Sequence, residues 1–525
     1  MGARTPVSGE QHPAPCSNGT GAATDHAAAQ PPLSGAFWID LRSLAAFRIL
    51  VSLVLLWDLV LRSRDLEAHY TDHGVLPRTV LIDTYLSLRP YLSLHIVHGS
   101  AFFEAVLFGV AGLCAAALLV GYRTSGAAVA CWFLTTSLHA RNPLVVHGGD
   151  DLLRVLLFWA MFVPLGGCWS IDRARASEID SSDRFVCSWG TAGLMLQLCF
   201  MYLFSGILKH HPSWRSEGTA VFLALSIEQF ATPIGRALLP YHGLLMALTF
   251  STLAMELAGP IVAIFSFDNI RLRTLVVFGF MLFHVGLGLC LELGIFPAVC
   301  IAGWILYLPG EVWDRLERRL TPHLAHWQRR IPGPIVAFVL QRMSRVSLRP
   351  VRLHRSRTVN VVAGVYLVYI FLWNVRTCDF QRFERVFPQS LNIIGEVTRV
   401  DQYWNLFAPY PSLEHGWYVV DAHLRDGDEI DLLTGKPVTW EKPPLVSATY
   451  TNERWRKYLM NLSTGQYASH RPYYAQYLHN VWNDSHPAAK KLATMEIYFV
   501  SETALPHYRV SPRQHLRLWT QQWSP

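Results

Sequence analysis

Charged residues are scarce in this sequence. Asp, Glu, Lys and Arg make up 16% of its 525 residues, against about 25% in soluble domains. Hydrophobic residues make up 51%, and the mean hydropathy is +0.23. This balance indicates an integral membrane protein, with the lipid bilayer as its partner. The net charge of +7 is modest, so the composition does not indicate binding to nucleic acid.

The signature motifs of several enzyme classes are also absent. The sequence has no GxGxxG or P-loop for a nucleotide, no HExxH for zinc and no GxSxG for a nucleophilic serine. Nine cysteines are present, none of them in CxxC spacing, and most fall in apolar runs. We therefore predict no metal site and no disulfide framework.

Apolar runs recur along the chain at lengths suited to a bilayer. Several approach the roughly 20 residues that cross a membrane as a helix, and two are shorter. They predict an all-α polytopic membrane bundle of about nine transmembrane helices. The runs are Leu44–Leu61, Ala101–Tyr122, Thr124–Leu138, Leu152–Leu165, Phe185–Leu208, Tyr241–Phe265, Thr274–Cys290, Gly294–Leu308 and Val359–Trp373.

The placement of arginine predicts the orientation of this bundle. With a cytoplasmic N-terminus, arginines concentrate in the inner loops, above all in residues 309–357, as the positive-inside rule requires. Within that basic loop, Ile331–Met343 is predicted to form an amphipathic helix on the membrane surface. The chain after about Arg376 then lies outside. We expect a bacterial inner (plasma) membrane protein.

Three parts follow from these patterns. Residues 1–35 are predicted to be a disordered tail, 36–375 a transmembrane domain that includes the basic inner loop, and 376–525 a small extracytoplasmic α+β domain. In the last part, alternation predicts a hairpin of two strands, and helical spacing predicts two helices. The predicted elements are strands at Gly416–Leu424 and Glu429–Leu433 with a turn at Gly427, and helices at Thr451–Leu462 and around Ala488–Met495.

Lys209 ends one of the long apolar runs and is followed by two histidines, a proline and Trp214. One interpretation is an anchor whose charged head reaches the membrane surface beside an interfacial tryptophan. The other is a lysine facing a low-dielectric cavity, where lost solvation lowers its pKa and makes it a base.

Polar residues inside apolar runs must find partners within the bundle. Glu256 and His284 lie at comparable depth on consecutive spans, so they could pair as a structural hydrogen bond or belong to a functional cavity. The other such residues are Arg48, Asp58, Gln197 and Glu292.

Two further polar segments belong to the outer face. In the loop Arg141–Arg154, helix capping accounts for Asp150 and Asp151 but leaves Asn142 and His147 unexplained. His147 opens on the same face as Lys209, and the two could form a proton-transfer pair. The second segment, Gln402–Pro411, contains Trp404 and Asn405 and is either an aromatic lid packed on the lipid interface or part of the cavity.

These residues together resemble the horizontally transferred transmembrane (HTTM) family, which includes the vitamin K-dependent gamma-glutamyl carboxylases. The resemblance runs from about residue 36 to about residue 435. Its motifs are Trp38–Arg48, Trp57–Arg62, Tyr70–Pro77, Arg141–Arg154, Gly206–Trp214 and Trp404–Pro411.

The resemblance implies a specific chemistry. Lys209 is similar to the carboxylase lysine that deprotonates vitamin K hydroquinone, and His147 is similar to a histidine that assists carboxylation. The implied co-substrates are a reduced quinone, dioxygen and carbon dioxide. Oxygenation of the quinol yields a strong base, which removes a glutamate γ-proton so that the carbanion captures carbon dioxide. The implied substrate is a peptide or protein on the outer face.

The chain also departs from the carboxylase pattern. About 150 residues follow its last predicted span, fewer than in the large carboxylase domain, and Gly148–Asp151 differ from the carboxylase loop. The alternative is therefore a non-catalytic membrane factor for the maturation or export of a peptide or protein. A secondary transporter is disfavoured because the sequence has no repeated halves.

Overall fold

A computed structural model of the chain describes residues 34–87, 91–175, 184–328, 356–505 and 509–523. The predicted tail lies outside this part except for its last two residues. The predicted surface helix Ile331–Met343 also lies outside it. Those two predictions stay predictions.

Six helices in the described part are long and apolar enough to cross a membrane. A seventh span exists if a broken pair counts as one, since Phe296–Tyr307 and Gly310–Arg319 meet at a bend of 100°. Helices of nine or more residues are α1 Leu41–Ser63, α2 Ala101–Val120, α3 Thr124–Arg141, α4 Gly148–Ala160, α5 Trp189–Leu208, α6 His242–Phe265, α7 Ile270–Cys290, α8 Phe296–Trp304, α9 Gly310–Gln328, α10 Arg357–Cys378, α11 Glu453–Ser463 and α12 Arg471–Ser485.

The predicted count of nine spans is not confirmed, and α4 shows the reason. Its 13 residues rise about 20 Å, less than the roughly 30 Å of a hydrocarbon core. All residues from Leu152 to Ala160 are buried within the protein. A run of apolar residues can lie in a protein core as well as in lipid, and hydropathy alone does not distinguish the two.

The centre of the bundle forms around α4. It packs against α3, α5 and α8, and Trp159 donates a hydrogen bond to Gln197 on α5 at 3.2 Å. Outer helices instead expose large apolar side chains, such as Phe102 on α2 and Leu282 on α7. Exposed apolar faces on long helices are what a lipid-facing surface requires.

The region after α10 contains an antiparallel sheet and two helices. The strands are β3 Glu414–Leu424, β4 Glu429–Asp431, β5 Leu492–Leu505, β6 Arg509–Val510 and β7 Gln514–Gln522, numbered after the two-residue pair β1 Ile39–Asp40 and β2 Phe185–Val186. Strand β5 lies between β3 and β7, and β4 pairs with β3. Residues 425–428 join β3 to β4, with Gly427 at a φ of 94° that favours glycine. The predicted hairpin and the helix near Thr451–Leu462 are therefore confirmed.

The helix predicted around Ala488–Met495 is wrong. Only Ala488–Lys490 forms a short 3-10 turn, and β5 starts at Leu492. From Leu492 to Val500, most of the buried positions in β5 recur with the period of two that is typical of a strand. The prediction failed because a short apolar run fits helix and strand equally well until its neighbours are known.

Candidate functional site

A cavity of about 760 Å³ lies among α5, α6, α7 and α11. Most of its lining is apolar, with residues such as Met255, Leu282 and Phe296. Five of the seven residues singled out from the sequence line it: His147, Lys209, Glu256, His284 and Asn405. Lys209 and His147 therefore open on one cavity, although they lie on separate elements.

Lys209 directly follows α5, and its side chain is buried. Its Nζ donates to the two carboxylate oxygens of Glu256 at 2.7 and 3.0 Å and to Ser205 Oγ at 2.6 Å. The ammonium also lies 5.1 Å from the centre of the Trp214 ring. Burial lowers the pKa of Lys209, and the nearby Glu256 carboxylate opposes that shift. A side chain in this position is not a surface anchor.

Glu256 and His284 do not pair with each other, as the sequence had suggested they could; each has a different partner. Glu256 on α6 pairs with Lys209, whereas His284 on α7 accepts or donates a hydrogen bond at Nε2 with the Tyr202 hydroxyl. Tyr202 also accepts from Trp304 Nε1 at 3.0 Å. The Nδ1 atom of His284 has no hydrogen-bond partner among the described residues.

Helix α5 presents its polar groups as one stripe. Tyr202, Ser205 and Lys209 are three and four residues apart, a spacing that places them on the same side of a helix. All three line the cavity, together with Glu256 and His284 from the two helices opposite. The wall of an apolar cavity thus carries two hydroxyls, an amine, a carboxyl group and an imidazole.

His147 caps α4 and is held by the backbone. Its Nδ1 accepts from the Gly149 N–H at 3.0 Å, and its own backbone N–H donates to Asp150 Oδ2 at 2.8 Å. Burial lowers the pKa of His147 to about 3, so the ring is neutral near pH 7. Since Nδ1 is an acceptor, the proton of the neutral ring lies on Nε2, which has no hydrogen-bond partner in the described ranges. His147 therefore offers an N–H donor.

A buried ion network fixes this cap. Asp150 accepts from Arg62 Nη2 at 2.6 Å and from Arg454 at 2.5 and 2.9 Å. Arg454 also donates to Asp58 at 2.6 Å, and Arg62 to the same carboxylate at 2.7 Å. The buried ion network, Asp58–Arg62–Asp150–Arg454, thereby ties α1 and α4 to α11 of the C-terminal region.

The sequence reasoning missed Arg62 and Arg454 as supports of His147. Arg62 was visible only as part of a family-like motif, and Arg454 follows Asp150 by 304 residues. A charged residue on an amphipathic surface helix is ordinarily solvated, so nothing in the local pattern of α11 marked Arg454 as buried. Its partner Asp58 had been noted only as a polar residue within a span.

Two predicted cavity residues lie elsewhere. Asn142 is fully buried, and its amide group caps the backbone by donating to His69 O and accepting from Leu144 N–H. Trp404 packs in the bundle core and donates to Gln402 Oε1 at 2.7 Å. Trp404 thus faces the core, while the next residue, Asn405, lies on the cavity wall.

The segment Gln402–Pro411 packs on protein. The Trp214 Nε1 donates to Phe407 O at 3.0 Å, and the His211 and Tyr410 rings lie 4.6 Å apart. Asn405 and Phe407 both line the cavity. This segment is thus a wall over the loop that follows Lys209.

Within the described ranges, two groups of acidic and histidine side chains have spacing that suits a metal ion: Asp58, His139 and Asp150, and Glu228, His415 and Glu502. The carboxylates of the first already bind Arg62 and Arg454. In the second, Lys442 lies 2.8 Å from Glu228 and also contacts Glu502. Side-chain cations neutralise both groups.

Comparison with protein-family models decides the family. The HTTM domain model matches residues 38–313, more than half of the chain. The chain belongs to the HTTM family. The matched part of this HTTM protein holds Lys209, Glu256, His284, His147 and the first three members of the buried ion network, whereas Arg454 and Asn405 lie beyond it. Neither the curated proteins nor the solved structures gave a match.

Proposed function

We propose that this HTTM protein is a membrane enzyme that couples oxygenation of a lipidic quinol to carboxylation of a carboxylate substrate at the outer face. Lys209 serves as the base. The observation that carries the proposal is the buried Lys209–Glu256 pair on the wall of a large apolar cavity.

The pair can supply a neutral amine. In a low-dielectric site a charged lysine and a charged glutamate are each disfavoured by desolvation. Movement of one proton along the 2.7 Å contact from Lys209 Nζ to Glu256 leaves an amine and a carboxylic acid. The amine can then accept a proton from a phenolic hydroxyl held beside it. A hydrogen bond to Ser205 Oγ, 2.6 Å from Nζ, fixes the position of the amine.

The cavity suits a quinol in shape and polarity. Its volume of about 760 Å³ lies within the roughly 300–1,000 Å³ of small-molecule sites. Apolar walls match an isoprenoid chain, and the polar stripe of α5 with His284 matches ring hydroxyls. When bound, a reduced quinone with dioxygen would supply the strong base that abstracts the substrate proton. His284, through its unpartnered Nδ1, positions the ring.

His147 has a different part. Its neutral Nε2–H cannot accept a proton, so it is a donor to a carboxylate or to carbon dioxide rather than a second base. The buried ion network keeps that donor at the cavity wall through Asp150.

The direct test is turnover by the purified full-length protein in lipid nanodiscs. Vitamin K hydroquinone, dioxygen, labelled bicarbonate and a series of Glu-containing peptides should give fixed label and quinone epoxide. Lys209→Met should reduce both at least about 100-fold, because a general base contributes at least that factor. The matched control is Lys490→Met, a half-exposed lysine paired with Asp426 and Asp428. It should behave as the wild type.

The competing function is a non-catalytic factor for maturation or export. It predicts no label with any peptide, and a folded Lys209→Met protein that supports its partner as well as the wild type does. That pair of results contradicts the enzymatic proposal.

A further inference from the structure

The cavity has a cationic wall that the proposed reaction does not use. Helix α11 places Arg456, Lys457 and Met460 along the lining, and Met460 follows the two cations by four and three residues, the spacing of neighbours on a helix surface. The acidic and basic residues of the lining are Lys209, Glu256, Arg456 and Lys457. Three cations therefore face one carboxylate, and that carboxylate already binds Lys209.

The charge of Arg456 has a partner. Its guanidinium lies 3.3 Å from Glu292 and 4.6 Å from the centre of the Phe230 ring. Glu453 precedes it by one turn but lies 3.8 Å from Arg454 and is not part of the cavity lining. Arg456 can thus still donate to a ligand, but its net charge is compensated.

Lys457, unlike Arg456, has no ion-pair partner among the described residues. Within the described part of the chain it forms no hydrogen bond and no ion pair, although most of its surroundings are protein. Burial lowers its pKa, with Asp151 opposing the shift. A partly buried cation without an ion-pair partner is available to an anionic ligand.

Helix α11 and His147 both lie against Gly294. A Cβ at this residue would lie 3.0 Å from His147 Nε2 and 2.9 Å from Glu453 Cγ, and its φ of 58° also favours glycine. The missing side chain lets the Nε2–H of His147 approach α11. Three donors from two parts of the chain therefore line the same cavity.

We propose that Lys457, Arg456 and the Nε2–H of His147 form a binding site for a single carboxylate, the acidic group of the substrate. One uncompensated cation matches one negative charge, whereas a dianionic phosphate would leave a charge unpaired in the cavity. The two cations of this site belong to α11, whereas Lys209 follows α5 and Glu256 lies on α6. The identity of the acid as the substrate rests on the proposed function.

The experiment measures binding and needs no turnover. Full-length protein in nanodiscs is titrated calorimetrically with acetyl-Leu-Glu-Leu amide, with its Gln counterpart and with laurate. Wild-type protein should bind the Glu peptide at least about tenfold more tightly than the Gln peptide. Lys457→Gln should lose that difference, Lys457→Arg should keep most of it, and Lys490→Gln should match the wild type. Size-exclusion profiles establish that each variant is folded.

The outcomes separate this site from the proposed reaction. A Lys457→Gln protein that still prefers the Glu peptide tenfold overturns the carboxylate site, even if carboxylation occurs. Binding of laurate alone, lost in Lys457→Gln, supports a carboxylate site filled from the bilayer and overturns its use by a peptide. Lys209→Met should retain the preference for Glu, so a failure of the base leaves this site intact.

Discussion

At the scale of single residues, Lys209 and Glu256 form a buried ion pair in which the ammonium contacts both carboxylate oxygens. Their contacts of 2.7 and 3.0 Å replace the water that both groups lose on burial. Breaking such a pair from one side leaves a buried polar group without a partner, while removing both sides does not. The interaction energy of the pair can therefore be measured by comparing single and double variants.

Glu256→Gln should lower the free energy of unfolding by about 3 kcal/mol, and Lys209→Met by a similar amount. The double variant should lose clearly less than the sum, because no buried charge is then left without a partner. Thermal or chemical unfolding in one detergent gives the double-mutant cycle. Additive losses would contradict a direct buried pair.

His147 should make stability depend on pH. Its folded pKa of about 3 lies below the unfolded value of about 6.5, so the unfolded chain binds more protons between those values, and stability falls as pH drops through that range. At pH 5 the loss is about 2 kcal/mol relative to pH 7.5.

The matched variant is His147→Asn, since asparagine also caps a helix but does not titrate. Its stability should fall by about 2 kcal/mol less between pH 7.5 and 5. Other buried histidines affect both proteins equally and cancel in the difference. Equal pH dependence of the two proteins would show that His147 is not held neutral.

At the scale of elements, α11 is the piece on which the outer wall depends. Arg454 bonds α11 to Asp58 on α1 and to Asp150 on α4. Further along α11, Arg456 and Lys457 line the cavity. Arg454→Met leaves Asp58 and Asp150 with one arginine between them. We expect a loss of about 3–5 kcal/mol of stability and early proteolysis within residues 425–452.

The control for Arg454 is Arg517→Met. Arg517 lies on β7, is largely exposed and pairs with Glu496 at 3.2 Å. Exposed pairs contribute at most about 1 kcal/mol. A loss in Arg454→Met no larger than this control would contradict the network's role in holding α11.

How much of the structure could be predicted from the sequence differs from one helix to the next. The end of α5 was predictable, because an apolar run that stops at Lys209 marks both the span and its polar end. Helix α4 was predicted as a span that the structure does not confirm, since hydropathy does not distinguish a lipid-facing leucine from one in a protein core. The site's support was not predictable: Arg454 meets Asp58 across 396 residues, and a contact of that separation leaves no local pattern.

At the scale of the whole molecule, the proposed orientation places α9 inside and the C-terminal region outside. The test uses a Cys187→Ser background, because Cys187 is exposed. In intact spheroplasts, an impermeant maleimide should label Asp484→Cys and should reach Arg318→Cys only after permeabilisation. Both positions are exposed in the described structure. The reverse pattern would contradict the orientation.

The buried ion network has a consequence for inheritance as well as for stability. Its two carboxylates and Arg62 lie in the HTTM segment 38–313, and its second arginine lies in a helix that the segment does not include. A shorter relative that kept both aspartates and lost that helix would bury an unbalanced negative charge. We therefore expect the aspartate equivalent to Asp58 or Asp150 to disappear together with the downstream helix, or a new cation to replace Arg454. That joint gain and loss can be read from sequences alone.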